Sequence, residues 1–88
     1  MTIKKGFVVK EIAGQYVVVA LGEASKVFNG IIKLNESGKI IWEMLAEGKS
    51  RDEVVDAILA VYNDAERETV EKDFDNFVEI LKGANIIE

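Results

Sequence analysis

Eighty-eight residues, 49 % apolar and 31 % charged, suffice for one small core and are too few for two. Cysteine and histidine are absent, which removes disulfides, thiolate or imidazole metal sites and every mechanism built on His or Cys. The net charge of −5 is split unevenly: residues 1–49 carry seven lysines against five glutamates (+2), and residues 50–88 carry four basic groups against eleven acids (−7). Only carboxylate-based metal binding stays open. No run approaches the ~20 apolar residues of a membrane span. Lys10 and Glu11 interrupt the N-terminal apolar stretch before it could act as a secretory signal. A cytoplasmic chain without a membrane partner is expected.

Phe7 to Ile12 is rich in branched and aromatic residues and predicts a strand. Ala13-Gly14 marks a turn, and Gln15 to Leu21 is the partner strand, so the two read as a hairpin. Gly22 to Lys26 is a polar connection, and Val27-Phe28-Asn29 is either its end or the start of the next strand. Ile31 to Leu34 is the third strand. Alternation sends Phe28, Gly30, Ile32 and Leu34 to one face, and Asn29, Ile31 and Lys33 to the other.

Asn35 is a good N-cap, because its side-chain oxygen can accept from the free N–H groups of a first helical turn. The first helix then runs to about Glu47, with Ile41, Met44 and Leu45 in a stripe and Gly48 as the terminating residue. Ser50 and Glu53 form a capping box for a second helix, whose apolar face is Val55, Ile58, Leu59 and Tyr62. Asn63-Asp64 breaks it. A third helix is predicted over Ala65 to Lys82, stopped by Gly83. Val70, Phe74, Phe77, Leu81 and Ala84 fall within about 80° of arc, flanked by Val78 on one side and Ile80 on the other, a sector wider than one buried face needs. Trp42 falls off the first helix stripe and is expected at the core margin. Ile86-Ile87 is an apolar tail able to fold back. The fold class is therefore α+β: a three-stranded antiparallel sheet followed by three helices, in the winged helix-turn-helix manner, as a single domain over 1–88.

Several motifs fail on context. Gly48-Lys49-Ser50 resembles the end of a phosphate-binding loop, but Glu43 stands where that loop needs glycine, and no strand precedes it. Asn35-Glu36-Ser37 has the glycosylation pattern and reads better as a helix cap. The acids between Asp64 and Asp75 lack calcium-loop spacing. Ser50 opens a helix as an acyl carrier's serine does, but Lys49 precedes it and a β-meander precedes both. No pair of carboxylates is singled out for acid–base work. No enzyme activity and no cofactor are expected.

The ordered set Leu34-Asn35-x-x-Gly38, Ile41-Trp42, Tyr62, Asp73-Phe74-x-x-Phe77, Leu81 and Ile86-Ile87 resembles the PqqD-like family, the RiPP recognition elements, from Phe7 to Ile87. The resemblance implies a non-catalytic peptide chaperone of natural-product biosynthesis. Such a domain binds the leader segment of a ribosomally made precursor peptide and presents it to a modifying enzyme, often of the radical SAM/SPASM type. It also implies that the leader adds as a fourth strand beside the third, with side chains in a cleft against the third helix. On that reading the peptide-binding residues are Val27, Phe28, Asn29, Ile31, Ile32, Lys33 and Leu34 of the strand region, and Phe74, Phe77, Val78 and Leu81 of the helix. Phe74, Phe77 and Leu81 read as core first and pocket lining second, and Ile32 and Leu34 likewise suit the core. Asn85 stands where the family often has glycine in a Gly-Leu-Ile-like tail.

Elementary physics supports the same reading. An open strand edge offers N–H and C=O groups to any guest backbone, and pockets under alternate side chains supply selectivity. A self-paired edge is the competing outcome, so the chain is expected as a monomer or a strand-swapped dimer. The alternative is a winged-helix DNA-binding regulator. Electrostatics oppose it, since Arg67, Lys72 and Lys82 of the third helix meet seven acids between Asp64 and Glu79. No nucleic-acid partner is expected.

Overall fold

A computed structural model of the chain describes residues 2–27 and 30–87, with the side chain of Val27 excepted. The candidate contacts Phe28, Asn29 and the Val27 side chain therefore lie outside the described residues. The elements run β1 (Phe7–Ile12), β2 (Gln15–Ala20), α1 (Ala24–Val27), β3 (Ile32–Leu34), α2 (Glu36–Ala46), α3 (Arg51–Val61) and α4 (Arg67–Gly83).

The sheet is antiparallel in the order β1-β2-β3, so β2 is central and β3 lies at an edge. Ala13 and Gly14 both take positive φ (53° and 79°), the pair of left-handed residues that a two-residue hairpin with the native twist demands. Phe7, Val18 and Leu34 are buried in the core, and Val9, Tyr16, Ala20 and Ile32 pack against it. Of their neighbours of opposite parity, Lys10, Ile12, Gln15 and Lys33 are exposed on the other side of the sheet, while Val8 and Val19 are half-buried and Val17, paired with both Lys10 and Lys33, is buried there. The helices thus cover one face.

Each helix is bounded by local chemistry. Asn35 accepts from the Gly38 N–H at 2.8 Å, and Ser50 with Glu53 forms the reciprocal capping box. Ser50→Ala should cost α3 about 1 kcal/mol, within a range of ~0.5–2, measurable by urea denaturation with an unchanged m-value. At the end of α2, Gly48 sits at φ 81°. Its N–H reaches Leu45 O and the Lys49 N–H reaches Met44 O, a Schellman closure. The same closure ends α4 around Asn85 (φ 61°), with Asn85 N–H to Lys82 O and Ile86 N–H to Leu81 O. Leu81 and Ile86, both fully buried, make the apolar contact that accompanies it.

That closure explains two differences from the sequence reading. Gly83 stays helical, because the left-handed turn falls two residues later on Asn85. The tail then folds back as expected: Lys4 N–H donates to Ile86 O, Ile3 bridges Ile87, and both terminal isoleucines are buried. At its other end α4 begins at Arg67 rather than Ala65, since Ala65 N–H closes a turn onto Tyr62 O.

Two further expectations are corrected. The connection after β2 holds the short helix α1. It docks because Gly6 has no side chain: a Cβ there would stand 2.8 Å from both Ala24 Cβ and Leu21 O. Trp42 is 4 % exposed and part of the core, not at its margin, on a flank of α2 that faces Phe7, Val8 and Val9 of β1 across a cleft.

Candidate functional site

The site is built on the outer edge of β3. Hydrogen-bonded pairs alternate along an antiparallel ladder. Leu21 N–H donates to Gly6 O, so the bonded pairs between β1 and β2 are Val8/Val19, Lys10/Val17 and Ile12/Gln15. The other residues of β2 turn their groups to β3, which makes Tyr16/Leu34 and Val18/Ile32 the bonded pairs there. The main-chain N–H and C=O of Lys33 consequently point away from the sheet. Among the described residues no strand pairs with this side of β3. The strand is three residues long and begins at Ile32, one residue later than its sequence suggests. Ile31, just before it, is 67 % exposed.

Beside this edge lies a chain of clefts converging on the N-terminus of α2. One of about 590 Å³ is lined by Tyr16, Lys33, Leu34, Gly38 and Phe77. A second of about 260 Å³ runs between α2 and α4, lined by Ile41, Asp73, Asn76, Phe77 and Ile80. A third of about 320 Å³ is walled by Ile58, Tyr62 and Val70 with Glu36 and Asp73. Asn35 lines all three. The cap that starts α2 therefore also sets the corner of the groove.

The two flanks of α4 have different tasks. One carries Glu71 and Asp75, which are held with Asp56 of α3 by the two arginines. Arg51 makes a bidentate pair with Asp75 at 2.9 Å, and Arg67 meets Asp56 at 2.8 Å and Glu71 at 3.4 Å. These contacts hold the Arg51 and Arg67 guanidiniums above their usual range and Asp75 below its own. Both guanidiniums are engaged by carboxylates, so this face does not offer phosphate the cations a DNA reader needs. The opposite flank, Asp73, Asn76, Phe77 and Ile80, forms the groove wall.

Of the residues singled out from the sequence, the structure brings Lys33, Leu34 and Phe77 together on one cleft. Ile31 flanks it, and Ile32 is half-buried against the core. Phe74, Val78 and Leu81 are 1, 6 and 0 % exposed and belong to the core, so they support the wall without lining it. Helical periodicity places all four residues on one broad sector and cannot show where neighbouring elements stop covering it. Tyr16, Glu36, Asp73, Asn76 and Ile80 line the clefts and were not singled out. The exposed Ile80, on the rim of an otherwise sufficient apolar sector, was the one signal for that flank. Tyr16 is fixed by the Lys39 ammonium 4.9 Å from its ring centre, and Lys39 itself pairs with Glu43 at 2.9 Å, which raises its pKa. Tyr62 O–H donates to Glu36 Oε1 at 2.8 Å, which holds the phenol proton more tightly than usual.

Comparison with known proteins bears on this geometry. The model of the family described as coenzyme PQQ synthesis protein D (PqqD) matches residues 8–87. A solved structure of TbiB1 in complex with the TbiA(beta) leader peptide is 33 % identical, with a TM-score of 0.79 over 100 % of this chain and 95 % of that one. A structure of lasso peptide synthetase B1 complexed with the leader peptide has a TM-score of 0.74 at 20 % identity, over 98 % and 94 % of the two chains, and shares the fold. No curated protein matches the chain. With the match spanning nearly every element from β1 to the buried tail, the chain belongs to the PqqD family.

Proposed function

We propose that this chain is a recognition domain. It binds the leader segment of a ribosomally synthesised precursor peptide as a fourth strand on β3 and presents it to a modifying enzyme. The observation that carries this is the coincidence of a backbone edge at Lys33, which no strand among the described residues covers, with a cleft under it floored by Leu34 and Phe77. The edge supplies affinity for any extended backbone, and the cleft supplies selection of alternate side chains. The 33 %-identical TbiB1, whose structure contains a leader peptide, supports the same use of the fold. The domain performs no chemistry itself; the charged side chains lining the groove, Lys33, Glu36 and Asp73, serve recognition. The enzyme it serves is of the radical SAM type, the encounter takes place in the cytoplasm, and the domain acts as one unit over residues 1–88. Among the described residues no helix is long and apolar enough to cross a membrane.

The test is titration of isotope-labelled domain with the leader of a precursor encoded beside it. Affinity near micromolar or tighter is expected for about six paired residues and two or three filled pockets. Amide shifts should concentrate on residues 31–34 and on Phe77 and Ile80. Ile31→Asp should weaken binding about tenfold without altering the far-UV spectrum, because the side chain is solvent-facing. Shifts confined to β1, or an unfolded Ile31→Asp domain, would refute the assignment.

A further inference from the structure

We infer that the groove selects leaders carrying a cationic side chain at the end where α2, α3 and α4 meet, received between Asp73 and Glu36; this deepens the peptide-binding reading and rests on it. Four acids of α3 and α4 are drawn to the two arginines. On the flank that faces away from the groove, Asp52, Asp56, Glu71 and Asp75 all lie within ion-pair distance of Arg51 or Arg67. On the groove flank, Asp73 has no ion-pair partner among the described residues. Glu36 lines the same cleft from the first turn of α2, and its one partner among the described residues is the Tyr62 hydroxyl on Oε1, which leaves Oε2 open.

Among the described residues no basic side chain lines this cleft, and the one cation lining the groove, Lys33, lies at the β3 end. The domain's net charge of −5 adds to the local field. The walls between the two carboxylates are Ile58, Tyr62 and Val70, enclosing about 320 Å³. That combination suits a long side chain with an apolar stem and a charged head, lysine or arginine, better than a neutral apolar anchor. Charge complementarity at this end also fixes the register of the guest. A backbone paired on β3 can slide by two residues without losing main-chain bonds, and a cation seated at Asp73 prevents the slide.

The experiment uses a display library of random decapeptides, panned separately on the wild-type domain and on Asp73→Lys. The side chain of Asp73 is exposed, so the substitution leaves the core intact, and circular dichroism verifies this. Wild type is expected to enrich peptides with Lys or Arg at one fixed spacing from an apolar anchor. Asp73→Lys should replace that preference by Asp or Glu. A synthetic peptide from the wild-type pool should bind about tenfold more weakly when its cation is changed to Glu, and recover on Asp73→Lys. Enrichment of peptides with no cationic position, or a cationic preference that Asp73→Lys leaves unchanged, overturns the inference while peptide binding stands. No enrichment of any peptide on either protein sinks the peptide-binding reading and this inference with it.

Discussion

Lys33→Pro should cost the domain its ligand and leave its fold intact. Proline lacks the N–H, and its ring occupies the space where a guest carbonyl would approach. In a central strand the substitution would be ruinous, but on an edge whose N–H faces outward it removes no bond of the sheet. The pairing of Tyr16 with Leu34 and Val18 with Ile32 places the Lys33 N–H on the outward side. Ile32, which then precedes a proline, is already extended and suffers little further restriction. Losing one charge-free hydrogen bond and meeting a steric block should weaken leader binding by about 10- to 100-fold. Fluorescence anisotropy with a labelled leader reads the binding, and a thermal melt reads the fold. A large fall in melting temperature would mean that the Lys33 N–H is bonded inside the sheet, and the proposed edge would be wrong.

The second large effect separates two phenylalanines one helical turn apart. Phe74 is 1 % exposed among Val70, Val78 and Leu81. Phe74→Ala should destabilise the domain by about 3–5 kcal/mol, from lost transfer energy and the cavity left behind. Domains of this size have about 5–15 kcal/mol in total, so Phe74→Ala should melt some 15–30 °C lower or not fold at all. Phe77 is half-buried and lines the groove next to Leu34. Phe77→Ala should cost roughly 1–2 kcal/mol of stability, in proportion to its smaller burial, yet weaken leader binding at least as much as Ile31→Asp does. Calorimetry on both variants, with and without leader, distinguishes them. Equal destabilisation by the two would place Phe77 in the core and remove the groove's wall.

The contrast between these neighbours shows what is legible in a sequence. Both fall within one apolar sector of α4, and periodicity assigns them the same role. Only the position of α2, whose first turn stands over the Asp73–Ile80 flank, leaves Phe77 with an open side. On the other flank the ion pairs from Arg51 and Arg67 tie α4 to α3, and Val78 packs into the core. Tyr16 is similar. As a residue of a hairpin strand it carries no special signal, and it becomes part of the site through the cation of Lys39 on its ring and the opening of a cleft beneath it.

Where chemistry is local, the chain can be read directly. The hairpin at Ala13-Gly14, the caps at Asn35 and Ser50, the helix stop at Gly48 and the alternation of Ile31 to Leu34 depend on backbone torsions and hydrogen bonds within a few residues, and those residues determine them wherever the chain goes. The small helix at Ala24, the burial of Trp42, the turn of α4 on Asn85 and the division of α4 into a sealed flank and an open one depend on groups far apart in the chain. Sequence determined the three strands, the three long helices, their order and which edge strand is short and apolar. The tertiary structure alone decided which surfaces remain uncovered, because exposure is a property of what the neighbouring elements fail to reach.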